Sequence, residues 1–156
     1  MNISDYLIDQ AGHDWAAMLS DWAWLLPEDL TVWMVNRFGD IIFVPDDGSV
    51  QLLDIGAGVV TPLADSRETF CTLIDTGDNA DYWLLISLTN ECVAAGLTLA
   101  PGQCYSFRIA PVLGGKYEAG NIEVVDLAVN YGLLAQIHQQ IKDLPDGTRV
   151  NLVLDE

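Results

Sequence analysis

Two hydrophobic periods divide the chain into helical and extended stretches. Apolar residues near the N-terminus recur at the helical spacing i, i+3, i+4, i+7 and i+11: Trp15, Met18, Leu19, Trp22 and Leu26. This spacing predicts a helix that ends at Pro27, because the residue before a proline is kept away from α geometry. A shorter helix is predicted around Asp5 to Ala11, where Gly12 stops it.

After Pro27 the pattern is typical of β-strands. Leu30 to Phe38 is rich in β-branched and aromatic residues, and Ile41 to Val44 follows as a second strand or a bulged continuation. Asp47-Gly48 lies between two apolar runs, which predicts a hairpin turn. The return strand is predicted over Ser49 to Ile55, where Val50 and Leu52 alternate with Gln51.

Another turn and a change back to helix come next. Gly56-Ala57-Gly58 predicts the turn, and the strand that begins at Val59 and Val60 is limited by Pro62. Asp65 with Glu68 three residues on fits an N-terminal helix cap. The stretch from Asp75 to Asp81 is a polar break.

The remaining elements complete an α+β pattern. Tyr82 to Ala95 is apolar on most sides and predicts one largely buried helix that ends at Gly96. A strand is predicted over 104–109, and 122–129 is predicted as a strand or as a strand that runs into a helix. A helix is predicted over 133–141 and a final strand over 150–154. Regular βαβ alternation is absent, so we expect a mostly antiparallel sheet with N-terminal, central and C-terminal helices packed on it.

Charge narrows the classes of partner. The chain of 156 residues, typical of one domain, carries 23 acidic and 6 basic residues, a net charge of −17. Such a surface repels nucleic acid and anionic lipid and attracts basic proteins. Solubility alone is the competing explanation, because net charge far from zero keeps proteins dispersed. A homodimer through the Trp-rich first helix is also possible if that helix is exposed.

The cysteines and the N-terminus indicate a cytoplasmic protein. Cys71, Cys92 and Cys104 are odd in number and form no CxxC pair, so buried free thiols are expected. The first residues lack the basic and apolar regions of a signal peptide, and no apolar run approaches the roughly 18 residues that span a membrane.

Catalytic chemistry has few candidates in this sequence. The two histidines cannot form a three-His zinc site, and HExxH and GxSxG are absent. We predict a surface or capping role for His138 and a structural ion pair for Arg37. No catalytic residue, cofactor or metal is predicted, although a hydrolase that uses a carboxylate pair remains an alternative.

Three segments resemble a bacterial family. They are Asn36 to Asp40 with Asp47 to Val50 and Leu53-Asp54; Pro101 to Tyr105 with Pro111 to Tyr117; and Gln136 to Thr148. Together they resemble proteins with the C-terminal domain of type VI secretion DNase-immunity proteins, often preceded by a GAD-like region. The resemblance covers about residues 31–150, so we expect a single domain with a helical extension over residues 1–30.

The resemblance implies a protein that is not an enzyme and that binds and blocks a secreted toxin. If the toxin is a nuclease it tends to be basic, and an acidic protein would complement it. We expect the contact to involve exposed acidic loops, namely Asp46, Asp47, Asp75, Asp78 and Asp81. A regulatory or scaffold module of the SUKH-like kind is a further alternative.

Overall fold

Within the described residues, six strands form two antiparallel sheets. The computed structural model describes residues 2–145, 147 and 148. The larger sheet has the order β1-β2-β3-β4, and the smaller sheet pairs β5 with β6. The strand bounds are β1 Leu30–Val35, β2 Ile41–Pro45, β3 Val50–Asp54, β4 Val59–Ala64, β5 Gln103–Phe107 and β6 Ile122–Asp126.

Five α-helices of the described part of the chain pack around these sheets. Their bounds are α1 Trp15–Met18, α2 Arg67–Leu73, α3 Asn79–Leu84, α4 Ile86–Ala94 and α5 Leu127–Ile141. Short 3₁₀ turns are found at Ile3–Tyr6, Ser20–Trp22, Pro111–Leu113 and Ala119–Asn121. The predicted α+β fold, with antiparallel strands and helices packed on them, is confirmed. The predicted final strand at 150–154 lies outside the described residues.

The central strands of the larger sheet are covered on both faces. Ile41 and Phe43 point towards α5 and the N-terminal segment, in a core with Val35, Leu53 and Tyr131. The alternate residues of β2 and β3 point the other way and pack on α2 and α3; they are Ile42, Val44, Val50 and Leu52. Burial on both faces explains why residues 41–44 are apolar without alternation.

The hairpin turns follow the prediction, with one difference in β4. Gly48 has a φ of +80° and donates its backbone N–H to the carbonyl of Pro45 at 3.0 Å. Pro62 does not end β4, because this strand continues to Ala64 and Pro62 pairs with Gln51 beside a bulge. β4 is at the edge of the sheet, where a residue without an N–H donor is tolerated.

The predicted N-terminal helices are shorter than expected. Asp14 caps α1 through the N–H of Ala17, and the helix gives way at Leu19 to the 3₁₀ turn. This break lets Trp22 enter the core, where its indole N–H donates to the carbonyl of Tyr131 at 3.0 Å. Residues 5–11 form no α-helix, and Leu7 instead makes a bridge to Asn36. The Trp-rich stripe thus packs on the domain itself, with Trp22 fully buried.

The helix predicted over 82–95 is broken in two. Leu85, between α3 and α4, adopts a left-handed conformation with a φ of +51°, which is rare for a residue with a side chain. Two side chains bind the backbone near it: Asn36 donates to the carbonyl of Trp83, and Asp81 accepts from the N–H of Ser87. Gly96 lies just after α4, as predicted, with a φ of +86°.

Two further predictions about helix boundaries are settled. The cap of α2 is Ser66 and not Asp65, because the Ser66 hydroxyl accepts the N–H of Thr69 at 3.1 Å. The stretch 122–129 is a strand that runs into a helix, and Asp126 caps that helix, α5. The helix predicted over 133–141 therefore begins six residues earlier.

Candidate partner-binding surface

Asp46 and Asp47 lie in the exposed turn between β2 and β3. Asp47 accepts the backbone N–H of Ser49 at 2.9 Å and its hydroxyl at 2.6 Å. These hydrogen bonds favour the charged carboxylate, so the pKa of Asp47 is lowered. The turn therefore presents a charged side chain whose direction is set by its own hydrogen bonds.

The other three predicted acids lie around the start of α3. Asp75 and Asp78 are exposed in the connection from α2. Asp81 lies inside α3 and is half-buried, and its carboxylate accepts the N–H of Ser87 at 2.7 Å. The five predicted acids therefore lie in two separate regions, the β2–β3 turn and the stretch that leads into α3 and includes its first turn. Asp81 also lines a groove that residue spacing did not reveal.

That groove, called here the acidic groove, has a volume of about 570 Å³. It lies beside the edge strand β4, between the larger sheet and the α3–α4 elbow, which is the bend at Leu85 where α3 meets α4. Its lining comes from β3, β4, the elbow, α4 and the loop before β6: Leu52, Asp54, Thr61, Leu63, Asp81, Tyr82, Trp83, Leu85, Ser87, Leu88, Glu91 and Tyr117. None of these described lining residues is a lysine or an arginine.

Two tyrosines at the acidic groove are accessible to a partner. Tyr82 is 71% exposed and Tyr117 is 52% exposed. The ring of Tyr117 is supported edge-on by Phe107, with 5.1 Å between centroids. Aromatic side chains that are held rigidly yet exposed are enriched at protein interfaces, because they provide contact area at low entropic cost.

The carboxylates of the acidic groove come from three elements. Asp54 ends β3 and accepts the N–H of Ala57 at 3.0 Å, Asp81 belongs to α3, and exposed Glu91 belongs to α4. Of these three, Asp54 acts on Tyr117: burial, followed by the charges of Asp54 and Asp40, raises the pKa of Tyr117 to about 12. The surroundings therefore disfavour an added negative charge.

Asp40, together with Asp54, is the best candidate for the catalytic carboxylate pair of a hydrolase. Burial, followed by the charge of Asp54, raises the pKa of Asp40 to about 7. However, one oxygen of Asp40 accepts the N–H of Ile55 and the other accepts the amide of Asn36, both at 3.0 Å. Asp40 does not line the acidic groove, and its contacts are those of a residue that fixes the β1–β2 turn.

His138 and Arg37 differ from their predicted roles. His138 is buried, not at the surface: its Nε2 is 2.7 Å from the carbonyl of Ile55 and its ring is 5.6 Å from that of Trp22. Burial lowers the pKa of His138. The Nε of Arg37 is buried and has no hydrogen-bond partner among the described residues, so the predicted ion pair is not found there.

The three cysteines are free thiols, as predicted. Cys92 and Cys104 are buried, and burial raises the pKa of both, to about 11 and about 12. Cys71 is exposed, contrary to the expectation that all three are buried. Over the described residues, no group of three or more His, Cys, Asp or Glu side chains is placed to hold a metal ion.

Helix length and composition bear on membrane insertion. The longest described helix, α5, has 15 residues. None of the helices in the described part of the chain is both long and apolar enough to cross a bilayer.

Comparison with known proteins supports the family resemblance. Residues 64–138, just under half of the chain, match the family described as "T6SS immunity protein Tdi1, C-terminal". The matched segment runs from the end of β4 to His138 and includes most of the acidic groove's residues, while Leu52, Asp54, Thr61 and Leu63 precede it. No curated protein matches.

One solved structure with a similar fold is the crystal structure of Atu4351 from Agrobacterium tumefaciens. The TM-score is 0.50 at 20% sequence identity, and the similarity covers 78% of this chain and 62% of that one. At this identity the likeness concerns the fold alone. The family match over residues 64–138, and not this fold similarity, confirms the predicted resemblance to type VI secretion immunity proteins.

Proposed function

We propose that this chain is an immunity protein that neutralises a cognate secreted toxin by binding it directly. The observation that carries the proposal is the match of residues 64–138 to the type VI secretion immunity family. The protein acts, in this proposal, in the cytoplasm of the producing cell and without catalysis of its own.

The charge of the chain favours a basic toxin. The net charge of −17 produces a negative field that attracts a cationic protein and speeds its association. A nuclease is a natural candidate, because an enzyme that holds anionic nucleic acid presents basic residues at its active site. Binding of an acidic protein there would compete with the nucleic acid.

We place the toxin contact on the face that carries the acidic groove and the α2–α3 connection. Asp81 lines the groove, Asp75 and Asp78 are exposed in the connection that precedes α3, and the exposed tyrosines provide the apolar contact area that charged loops lack. Asp46 and Asp47 supply a second acidic contact at the β2–β3 turn. Acidic rim residues of this kind mainly increase the association rate, whereas buried aromatic anchors set the lifetime of the complex.

The immunity-type domain is proposed to span residues 31–150, which is wider than the matched segment. β3 and β4 supply one wall of the acidic groove and the sheet packs on α2, α3 and α5. Residues 64–138 taken alone would lose β1, β2 and β3 and all of β4 except Ala64, which is nearly the whole sheet that these helices cover.

Co-expression with the protein encoded next to it tests this function. The expected result is that a strain killed by the neighbouring gene product survives when this chain is also produced, and that the two proteins co-purify. A chain in which Trp22→Ala disrupts the core serves as the negative control. Continued killing at equal levels of soluble wild-type chain, with no co-purification, would contradict the proposal.

A further inference from the structure

We propose that the acidic groove is a binding site for an arginine side chain presented by a basic protein partner. The identification of that partner as the toxin rests on the proposed function, whereas the chemistry of the site does not. The site combines Asp54, Asp81 and Glu91 with the rings of Tyr82 and Tyr117.

The carboxylates of the groove have capacity for a cation. Asp54 and Asp81 each use Oδ1 to accept one backbone N–H, from Ala57 and Ser87. Among the described residues, the second oxygen of each has no hydrogen-bond partner, and neither has the Glu91 carboxylate. Because the three acids come from β3, α3 and α4, their spacing is set by the fold. A cation in the groove would give these oxygens charge-assisted hydrogen bonds that the chain itself does not supply.

The apolar walls favour arginine over other cations. Leu52, Leu63 and Leu88 contribute aliphatic surface to the lining of the groove, along with the two tyrosines. A guanidinium group is planar, weakly hydrated and able to stack on an aromatic ring while it donates to carboxylates. A lysine ammonium is more strongly hydrated and donates from one point, so it gains less from such a site. The groove's 570 Å³ leaves room for the flanking backbone of an extended loop.

A second copy of this chain is a poor occupant. The chain has only six lysines and arginines. Arg67 lies over the ring of Trp33 and Lys142 lies over that of Trp24, at 5.4 and 5.1 Å. Arg108 is 3.7 Å from Glu123. Since half of its cations are engaged internally, and since two copies of charge −17 repel each other, a different and basic protein is the better match.

Peptide titration tests the site without knowledge of the toxin. The probe is the capped tripeptide Gly-Arg-Gly, added to the ¹⁵N-labelled full chain and followed by NMR chemical shifts. We expect saturable shifts at the amides of Tyr82, Leu85 and Tyr117. The same tripeptide with citrulline, which is isosteric and neutral, should bind at least tenfold more weakly, and the lysine tripeptide should be intermediate.

A charge-matched pair of variants locates the binding. Asp54→Asn with Glu91→Gln removes two charges from the groove, and asparagine retains an oxygen for the Ala57 N–H. The control, Asp29→Asn with Asp143→Asn, removes two exposed charges outside the groove lining. The groove variant should bind the arginine tripeptide about tenfold more weakly than the wild type, and the control should bind within about twofold of it.

Three results would overturn the proposal. They are shifts of equal size with arginine and citrulline, binding that maps to another surface, and equal weakening in the two variants. If the neighbouring toxin binds the wild type and the groove variant equally well, the groove is not part of the toxin interface. The proposed function would then still stand. If the wild-type chain binds the arginine tripeptide in the groove but does not protect cells from the neighbouring gene product, the proposed function alone would be refuted.

Discussion

His138 lies so close to Gly58 that no side chain fits between them. A β-carbon on Gly58 would lie within 2.7 Å of the Cε1 and Cγ atoms of the buried His138 ring and would contact its Nδ1. The same ring is hydrogen-bonded to the carbonyl of Ile55 and packed against Trp22, so it cannot move aside easily. This contact connects the β3–β4 turn to α5.

Gly58→Ala should therefore lower the free energy of unfolding by about 2–4 kcal/mol, from the clash together with the cost of a φ of +72°. Gly48→Ala is the matched control, because Gly48 has a φ of +80° but open space around it. That control should lose only about 1 kcal/mol. Urea denaturation of both variants measures the difference, and equal losses would show that the His138 contact does not matter.

The cap of α2 offers a test that separates neighbouring residues. Ser66→Ala removes the hydroxyl that accepts the N–H of Thr69 and should cost about 1 kcal/mol. Asp65→Ala should cost less than half as much, because Asp65 lies before the cap. Thermal unfolding of the two variants checks this order. A larger loss for Asp65→Ala would restore the cap predicted from the sequence.

Asp40 should give the stability of the protein a distinct dependence on pH. Its pKa rises from 3.8 to about 7 on folding, so between these values the folded state binds more protons than the unfolded state. Stability contributed by Asp40 is therefore present at low pH and is lost as the pH rises from about 4 to about 7. Asp40→Asn removes this titration, although its amide would face the amide of Asn36 and lose one hydrogen bond.

The measurement is urea denaturation of wild type and Asp40→Asn between pH 4.5 and pH 7.5. The wild type should have its largest advantage at pH 4.5, and the advantage should shrink towards pH 7.5. Comparison of the two chains cancels the titration of His138, whose lowered pKa acts in the opposite direction. A difference that stays constant across the range would contradict the raised pKa of Asp40.

Much of the larger sheet can be predicted from the sequence, because its information is local. Asp47-Gly48 and the glycines at 56–58 mark turns between apolar runs, and turns of this kind produce antiparallel neighbours. The edge position of β4 is not local information. For that reason Pro62 seemed to end a strand that in fact continues through it.

The errors in the helices arise from tertiary contacts. No residue type in 82–95 signals the break at Leu85, since leucine favours helices and the break depends on Asn36, far away in sequence. Likewise, the spacing of Trp22 fits a continuous helix, but its hydrogen bond to Tyr131 requires a tighter turn. Hydrophobic periodicity predicts which residues are buried more accurately than it predicts the secondary structure in which they lie.

The acidic groove was only partly accessible to sequence reasoning. Asp81 was predicted as a contact residue from its acidic loop, but Asp54, Glu91 and the two tyrosines come from elements that meet only in the fold. Tyr117 belongs to one of the segments that carry the family resemblance, which is the one signal that pointed to it. Because the chain has 23 acidic residues, the sequence does not distinguish the other carboxylates of the groove from those elsewhere on the surface.

We propose that this chain neutralises a toxin by binding it through an acidic face. Calorimetric titration of the purified chain with the protein encoded beside it, at about 50 and about 300 mM salt, tests it most directly. We predict one-to-one binding that weakens at least tenfold at the higher salt, because exposed charges are screened beyond about 10 Å at 0.1 M salt. No detectable binding at the lower salt, or an affinity that does not change with salt, would contradict the account.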